Sequence, residues 1–132
     1  MSDAMINELV AKAKEIRENA YAPYSKYKVG ASILCRDGEI FTGVNNENAS
    51  YPAGICAERA ALAAAITAGK REFKAIAVYA SSSVMPCGIC RQALCEFGNI
   101  LIMTAGDNAP VQKYMLSELL PHAFSADNLK EV

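Results

Sequence analysis

The sequence predicts an α/β protein, a three-layer α/β/α sandwich on a five-stranded mixed sheet, folded as one domain over residues 1–132. Three observations lead there. A helical periodicity opens the chain, an alternating hairpin follows it, and beyond residue 56 apolar helices alternate with apolar strands. At 132 residues the chain can bury a hydrophobic core without disulfide staples, and no repeat, low-complexity tract or linker divides it.

The elements follow in order. Ile6, Leu9, Val10, Ala13, Ile16 and Ala20 recur at helical spacing behind Asp3, an expected N-cap, and Pro23 closes the segment, so a helix is expected over residues 4–20. Tyr27, Val29, Ala31, Ile33 and Cys35 then alternate with their neighbours. Asp37-Gly38 carries a type I′ turn signal before a second strand from Ile40 to Asn46, which completes a hairpin. Residues 56–68 are apolar nearly all round and end at Gly69, as a buried central helix should. Residues 75–80 form a continuous apolar run suited to a strand covered on both sides. Pro86 suits a first helical turn, and Gly98 suits the cap beyond Phe97. Residues 100–103 read as another buried strand, residues 107–110 as a turn and residues 111–115 as a weaker strand, with a short, at most helical tail.

Composition narrows the class of protein. Thirteen basic against fourteen acidic residues give a net charge of −1, with no run of either sign to attract a polyanion, so nucleic acid is not an expected partner. The longest apolar stretch falls far short of the roughly 18 residues of a membrane span, and residues 1–10 mix Asp3, Asn7 and Glu8 with apolar residues. A soluble, cytoplasmic protein is expected. The hydrophobic share of 52% is generous for so short a chain and anticipates apolar surface buried between subunits. Five cysteines, without an export signal, favour thiols or metal ligands over a disulfide framework.

Three of those cysteines stand apart. Cys56 opens the central helix, while Cys87 and Cys90 open the helix after Pro86. Helix N-termini lower thiol pKa through unpaired N–H groups and the helix dipole, so two such termini facing one another suit zinc. Cys95 lies five positions beyond Cys90, about 140° around a helix, and points away into the core. Cys35 reads as a buried thiol of an alternating strand, and nothing in the spacing of His122 ties it to the three cysteines. Three protein ligands imply catalysis, because structural zinc sites close with four. A lone C-x-x-C is equally compatible with a redox dithiol or half a zinc ribbon. Here Glu58 follows Cys56 by two positions and Pro86 directly precedes Cys87, the general signature of zinc deaminases. An acidic residue in a first helical turn commonly just complements the dipole. In an alanine-rich buried helix beside three cysteines, Glu58 is better suited to proton transfer.

At these residues the chain resembles the cytidine deaminase family, in its short homotetrameric branch with three cysteine ligands. The likeness spans nearly the whole chain. It includes Tyr21-Ala22-Pro23-Tyr24-Ser25, Val29-Gly30-Ala31, Asn45-Asn46-Glu47-Asn48-Ala49, the stretches 56–59 and 86–92, and Glu118-Leu119-Leu120-Pro121. The resemblance implies a cytidine deaminase-like fold and hydrolysis of free cytidine and 2′-deoxycytidine to uridine and 2′-deoxyuridine in pyrimidine salvage. It also implies one zinc per subunit on Cys56, Cys87 and Cys90. Glu58 would carry protons from zinc-activated water to the ring nitrogen and the departing amine. Asn45 and Glu47 would bind ribose, with Tyr27 and Ala57 also lining the substrate site. Arg59 would donate to a ligand sulfur, offsetting three thiolate charges against two on zinc, and Arg91 could assist.

Tyr51 and Phe124 match aromatic positions that complete a neighbouring subunit's pocket in the homotetramer. Tyr27 departs from the family's usual phenylalanine against the base, and its hydroxyl needs a partner if buried. A ribose 3′-hydroxyl can donate to Glu47, whereas the esterified oxygen of a strand cannot, so free nucleosides are expected over polynucleotides. Readings that stay open are a relative acting on blasticidin S or guanine, an editing enzyme, and a structural zinc module.

Overall fold

The computed structural model describes residues 1–130. Helix α1 spans Asp3–Ile16 and tightens into a 3₁₀ turn at Arg17–Asn19. Its cap is Ser2, one residue before the expected Asp3, and the Ser2 hydroxyl accepts the Met5 N–H at 3.2 Å. Strands β1 (Gly30–Cys35) and β2 (Ile40–Val44) form the hairpin. Its turn is not the expected type I′. Only Gly38 has positive φ, at 95°, the Gly38 N–H donates to Cys35 O and the Cys35 N–H to Glu39 O, which is a three-residue loop with glycine in the bulge position.

The remaining elements are α2 (Ala57–Thr67), β3 (Phe73–Ala80), α3 (Gly88–Cys95), β4 (Leu101–Gly106), β5 (Ala109–Met115) and two single-turn helices, α4 (Leu116–Leu119) and α5 (Ala126–Leu129). The expected turn over 107–110 shrinks to Asp107-Asn108. Pro110 instead lies inside β5, a sheet edge, where its missing N–H is tolerated.

The five strands stand in the order β2-β1-β3-β4-β5, with β3 and β4 parallel and every other pair antiparallel, so the sheet is mixed as expected. Strand alternation divides the core into two layers. Ala31, Ile33, Ile76 and Ile102 pack with Ala57, Ala61, Ala65 and Leu94 of α2 and α3. Leu34, Ala75, Ala77 and Met103 pack under Ile6, Leu9 and Ala13 of α1. Ser32 is the polar residue on the α1 side, and its hydroxyl satisfies the Leu9 carbonyl at 2.6 Å.

The seating of α2 depends on Gly43. A Cβ there would lie 2.2 Å from Ala61 N and 2.8 Å from Ala57 O, so the helix backbone rests directly on β2. Gly43→Ala should therefore lower stability by about 3 kcal/mol, the upper end for overpacking, read as a shift in the urea midpoint. A wild-type midpoint would show that α2 can move off the sheet.

The hairpin is shorter at its open end than alternation suggests, because side chains there take over most of the ladder, leaving one backbone bond from the Asn45 N–H to Val29 O at 3.3 Å. Asn45 Oδ1 accepts the Val29 N–H at 2.9 Å, Asn45 Nδ2 donates to Tyr27 O at 2.9 Å, and the Tyr27 N–H donates to Ser25 Oγ at 3.0 Å. Residues 27–29 and 45 thus lie outside the strands, while Asn46 makes isolated bridges to Tyr21 and Ile55. Among the described residues no helix is long and apolar enough to cross a membrane.

Candidate active site

The first turns of α2 and α3 meet beyond the carboxyl end of β3. Cys56 is the N-cap of α2 and Cys87 the N-cap of α3, yet neither sulfur caps its own helix. They turn toward each other instead. Cys56 Sγ lies 3.8 Å from Cys87 Sγ, Cys87 Sγ lies 3.5 Å from Cys90 Sγ, and all three fall within 4.8 Å of one another. Tetrahedral zinc with Zn–S bonds near 2.3 Å requires sulfurs about 3.8 Å apart. The three cysteines fit that ion. Cys90 is buried and Cys87 exposed, so the cluster has a closed floor and an open side.

All five cysteines are free. Cys35 is buried in the core layer under α2, and Cys95 packs against the same layer, away from the cluster. His122 is exposed at a φ of 54° and does not belong to the cluster.

The electrostatics separate the thiols. In the metal-free arrangement the hydrogen bond with Cys90 pulls the Cys56 thiol well below its ordinary range, aided by Arg59. The same hydrogen bond and burial push Cys90 far up. The pair thus holds one proton that a divalent ion would displace. Arg59 Nη2 lies 3.7 Å from Cys56 Sγ, as the sequence reading anticipates, and its buried Nε has no hydrogen-bond partner among the described residues. A cation with an unspent donor therefore sits against the thiolates. Arg91 does not assist: its guanidinium donates to Pro86 O at 2.8 Å and Leu119 O at 2.7 Å, which braces the residue before Cys87.

Glu58, in the first turn of α2, is only 5% exposed and lines a cavity of about 610 Å³ that reaches Cys56 and Cys87. Burial, reinforced by the charge of Cys56, pushes its carboxyl up to about 7. A buried carboxyl whose proton affinity is raised beside a cluster of three cysteines suits general acid–base chemistry.

The same cavity is lined by Asn45, Glu47 and Tyr27, and by Ala57, the residue before Glu58. Glu47 is fixed by the loop 21–25. The N–H groups of Tyr24 and Ser25 each donate to Oε1 at 3.0 Å, and the Ser25 hydroxyl donates to Oε2. These bonds, the hydroxyl first, hold its carboxyl below the ordinary range, so it is ionised at neutral pH with acceptor capacity left on Oε2. Asn45 has already spent one donor and one acceptor position on the backbone of residues 27–29, keeping one N–H for a ligand.

Tyr51 is 77% exposed at the mouth, edge-on to Tyr24 with ring centroids 6.3 Å apart. Phe124 is 59% exposed and does not line the cavity of its own chain. Sequence reasoning overlooked Ser25, Val84 and Met85 as cavity residues. Ser25 could have been found as the hydroxyl closing Tyr21–Ser25, and Val84-Met85 as an apolar pair between three serines and Pro86.

Residues 4–105 match the family described as the cytidine and deoxycytidylate deaminase zinc-binding region. A cytidine deaminase of Sporosarcina psychrophila is 42% identical over 128 residues, covering 94% of each chain. A crystal structure of cytidine deaminase from Burkholderia pseudomallei superposes with a TM-score of 0.87 at 42% identity, covering 94% of this chain and 100% of that one. The corresponding structure from Mycobacterium tuberculosis gives a TM-score of 0.82 at 40% identity, covering 94% of this chain and 98% of that one.

Proposed function

The chain belongs to the cytidine deaminase family of zinc-dependent hydrolases, and on that premise we propose that it hydrolyses free cytidine and 2′-deoxycytidine to uridine and 2′-deoxyuridine. The single observation that carries the reading is a buried Glu58 in one cavity with Cys56 and Cys87, whose sulfurs converge with that of the buried Cys90 beneath. Cys56, Cys87 and Cys90 would hold the zinc, one ion per chain, and when bound it would supply the Lewis acidity that makes water a nucleophile near neutral pH.

The residues of the chain do the rest. Glu58 takes a proton from the attacking water, delivers it to the pyrimidine N3, and transfers the second proton to the amine that leaves C4 as ammonia. Arg59 offsets the excess charge of three thiolates. Glu47 accepts from the ribose 3′-hydroxyl and Asn45 offers its remaining N–H to the sugar. Ala57 and Tyr27 wall the base. The exposed rings of Tyr51 and Phe124 are available to a neighbouring subunit, which supports a homotetramer with shared pockets. The five free thiols and a nucleoside product suit a cytoplasmic salvage enzyme.

Zinc-loaded protein should bleach the cytidine absorbance while releasing ammonia in equal amount, with 2′-deoxycytidine also consumed. Turnover of blasticidin S or guanine in place of cytidine would reassign the substrate. Glu47→Gln should raise KM for cytidine by about 10- to 100-fold with a smaller change in kcat, the range for one hydrogen bond to a charged group. Unchanged KM would remove Glu47 from ribose binding.

A further inference from the structure

Tyr27 brings a hydroxyl to a cavity wall whose neighbours Val29, Ile55, Ala57 and Val84 are apolar. Left free, that hydroxyl would collect water or compete for polar atoms of a bound base. It is not free. Tyr27 Oη lies 2.9 Å from Ser82 Oγ, and Ser82 lies outside the cavity lining.

Ser82 is exposed, but the residues on either side of it are tied down. Ser81 O accepts the Asn108 N–H at 3.4 Å, and Ser83 Oγ pairs with Oγ1 of the fully buried Thr104 at 3.2 Å. Gly106 presses against the backbone between them, where a Cβ would lie 2.8 Å from Ser82 C. Tyr27 is held equally well at its other end, its N–H on Ser25 Oγ and its carbonyl under Asn45 Nδ2. Two hydrogen-bonded loops are thus joined by a hydroxyl pair, and one of them continues through Val84 and Met85 to Cys87.

We propose that Ser82 is a positioning residue that parks the Tyr27 hydroxyl outside the cavity, so that the tyrosine ring meets the cytosine as an apolar wall. The inference rests on the nucleoside reading of this cavity. Ser82 itself touches no substrate. Its effect passes through the tyrosine hydroxyl and through nothing else, which sets it apart from a loop-stabilising serine.

A kinetic cycle on the zinc-loaded protein decides it. Ser82→Ala should raise KM for cytidine by roughly 3- to 10-fold, the value of one net hydrogen bond, with kcat and zinc content held. Added to Tyr27→Phe, the same Ser82→Ala change should alter KM by less than about twofold, because the hydroxyl it would park is gone. An equal Ser82→Ala penalty in both backgrounds, or none in the wild-type background, would overturn the proposal. So would a penalty on kcat instead of KM. Wild-type protein inactive on cytidine would instead overturn the deaminase reading, and the proposal with it.

Discussion

Replacing Glu58 with glutamine should lower kcat on cytidine by roughly 10²- to 10⁴-fold, the range of general acid–base catalysis, while zinc content stays at one per chain. The amide keeps the shape and polarity of the carboxylate but cannot carry a proton between water, N3 and the leaving amine. The fold should not suffer, and a second measurement checks this. Burial raises the Glu58 carboxyl from an ordinary 4.5 to about 7, so in the metal-free protein its protonated form is favoured by folding. Stability from that proton is present in full below pH 4.5 and is lost as pH rises through about 7. The metal-free Glu58→Gln variant should therefore lose less stability across this window than metal-free wild type, read from urea midpoints. A variant with near-normal kcat would remove Glu58 from the chemistry, whatever its stability.

The second large effect is expected at Cys87. Cys87→Ala leaves two sulfurs, one of them the buried Cys90, and should weaken zinc binding by more than the ~100-fold cost of losing a partner behind a ligand. Dialysed protein should hold almost no zinc and no deaminase activity. Added zinc should no longer raise its thermal midpoint, since an ion stabilises only the state that binds it. Cys95→Ala is the matched control: Cys95 packs against the core layer under α2, so this variant should keep its zinc. Full metal content in Cys87→Ala would mean that another residue completes the site.

What could be read from the sequence was local, and what could not was long-range. Cys56, Cys87 and Cys90 were legible because helix starts are signalled locally, by Pro86 and by the alanine run that follows residue 56, and a helix start fixes where a sulfur points. The sheet was legible because Ile33, Ile76 and Ile102 sit in short runs whose patterning depends on burial alone. Ser25 with Glu47, and Tyr27 with Ser82, join residues far apart in the chain by single hydroxyls, and no periodicity marks such pairs.

The same limit explains the misplaced ends of the hairpin. The Asn45 side-chain amide takes the Val29 N–H and the Tyr27 carbonyl beside one remaining backbone bond, so the alternation of Tyr27 and Val29 continues past the last true strand residue. Arg91 was misjudged for a related reason. Adjacency to Cys90 suggested a sulfur partner, but the carbonyls of Pro86 and Leu119 receive its donors. Tyr51 and Phe124 stand exposed on the single chain, so the role proposed for them in a neighbouring pocket leaves no mark within it.

One measurement tests the central claim most directly: a crystal structure of the zinc-loaded protein with anomalous data at the zinc absorption edge. The expected result is a single ion bound by Cys56, Cys87 and Cys90 and by no fourth side chain, with the Glu58 carboxylate facing its remaining side. A fourth protein ligand on the metal, or Glu58 turned away into the core, would contradict it.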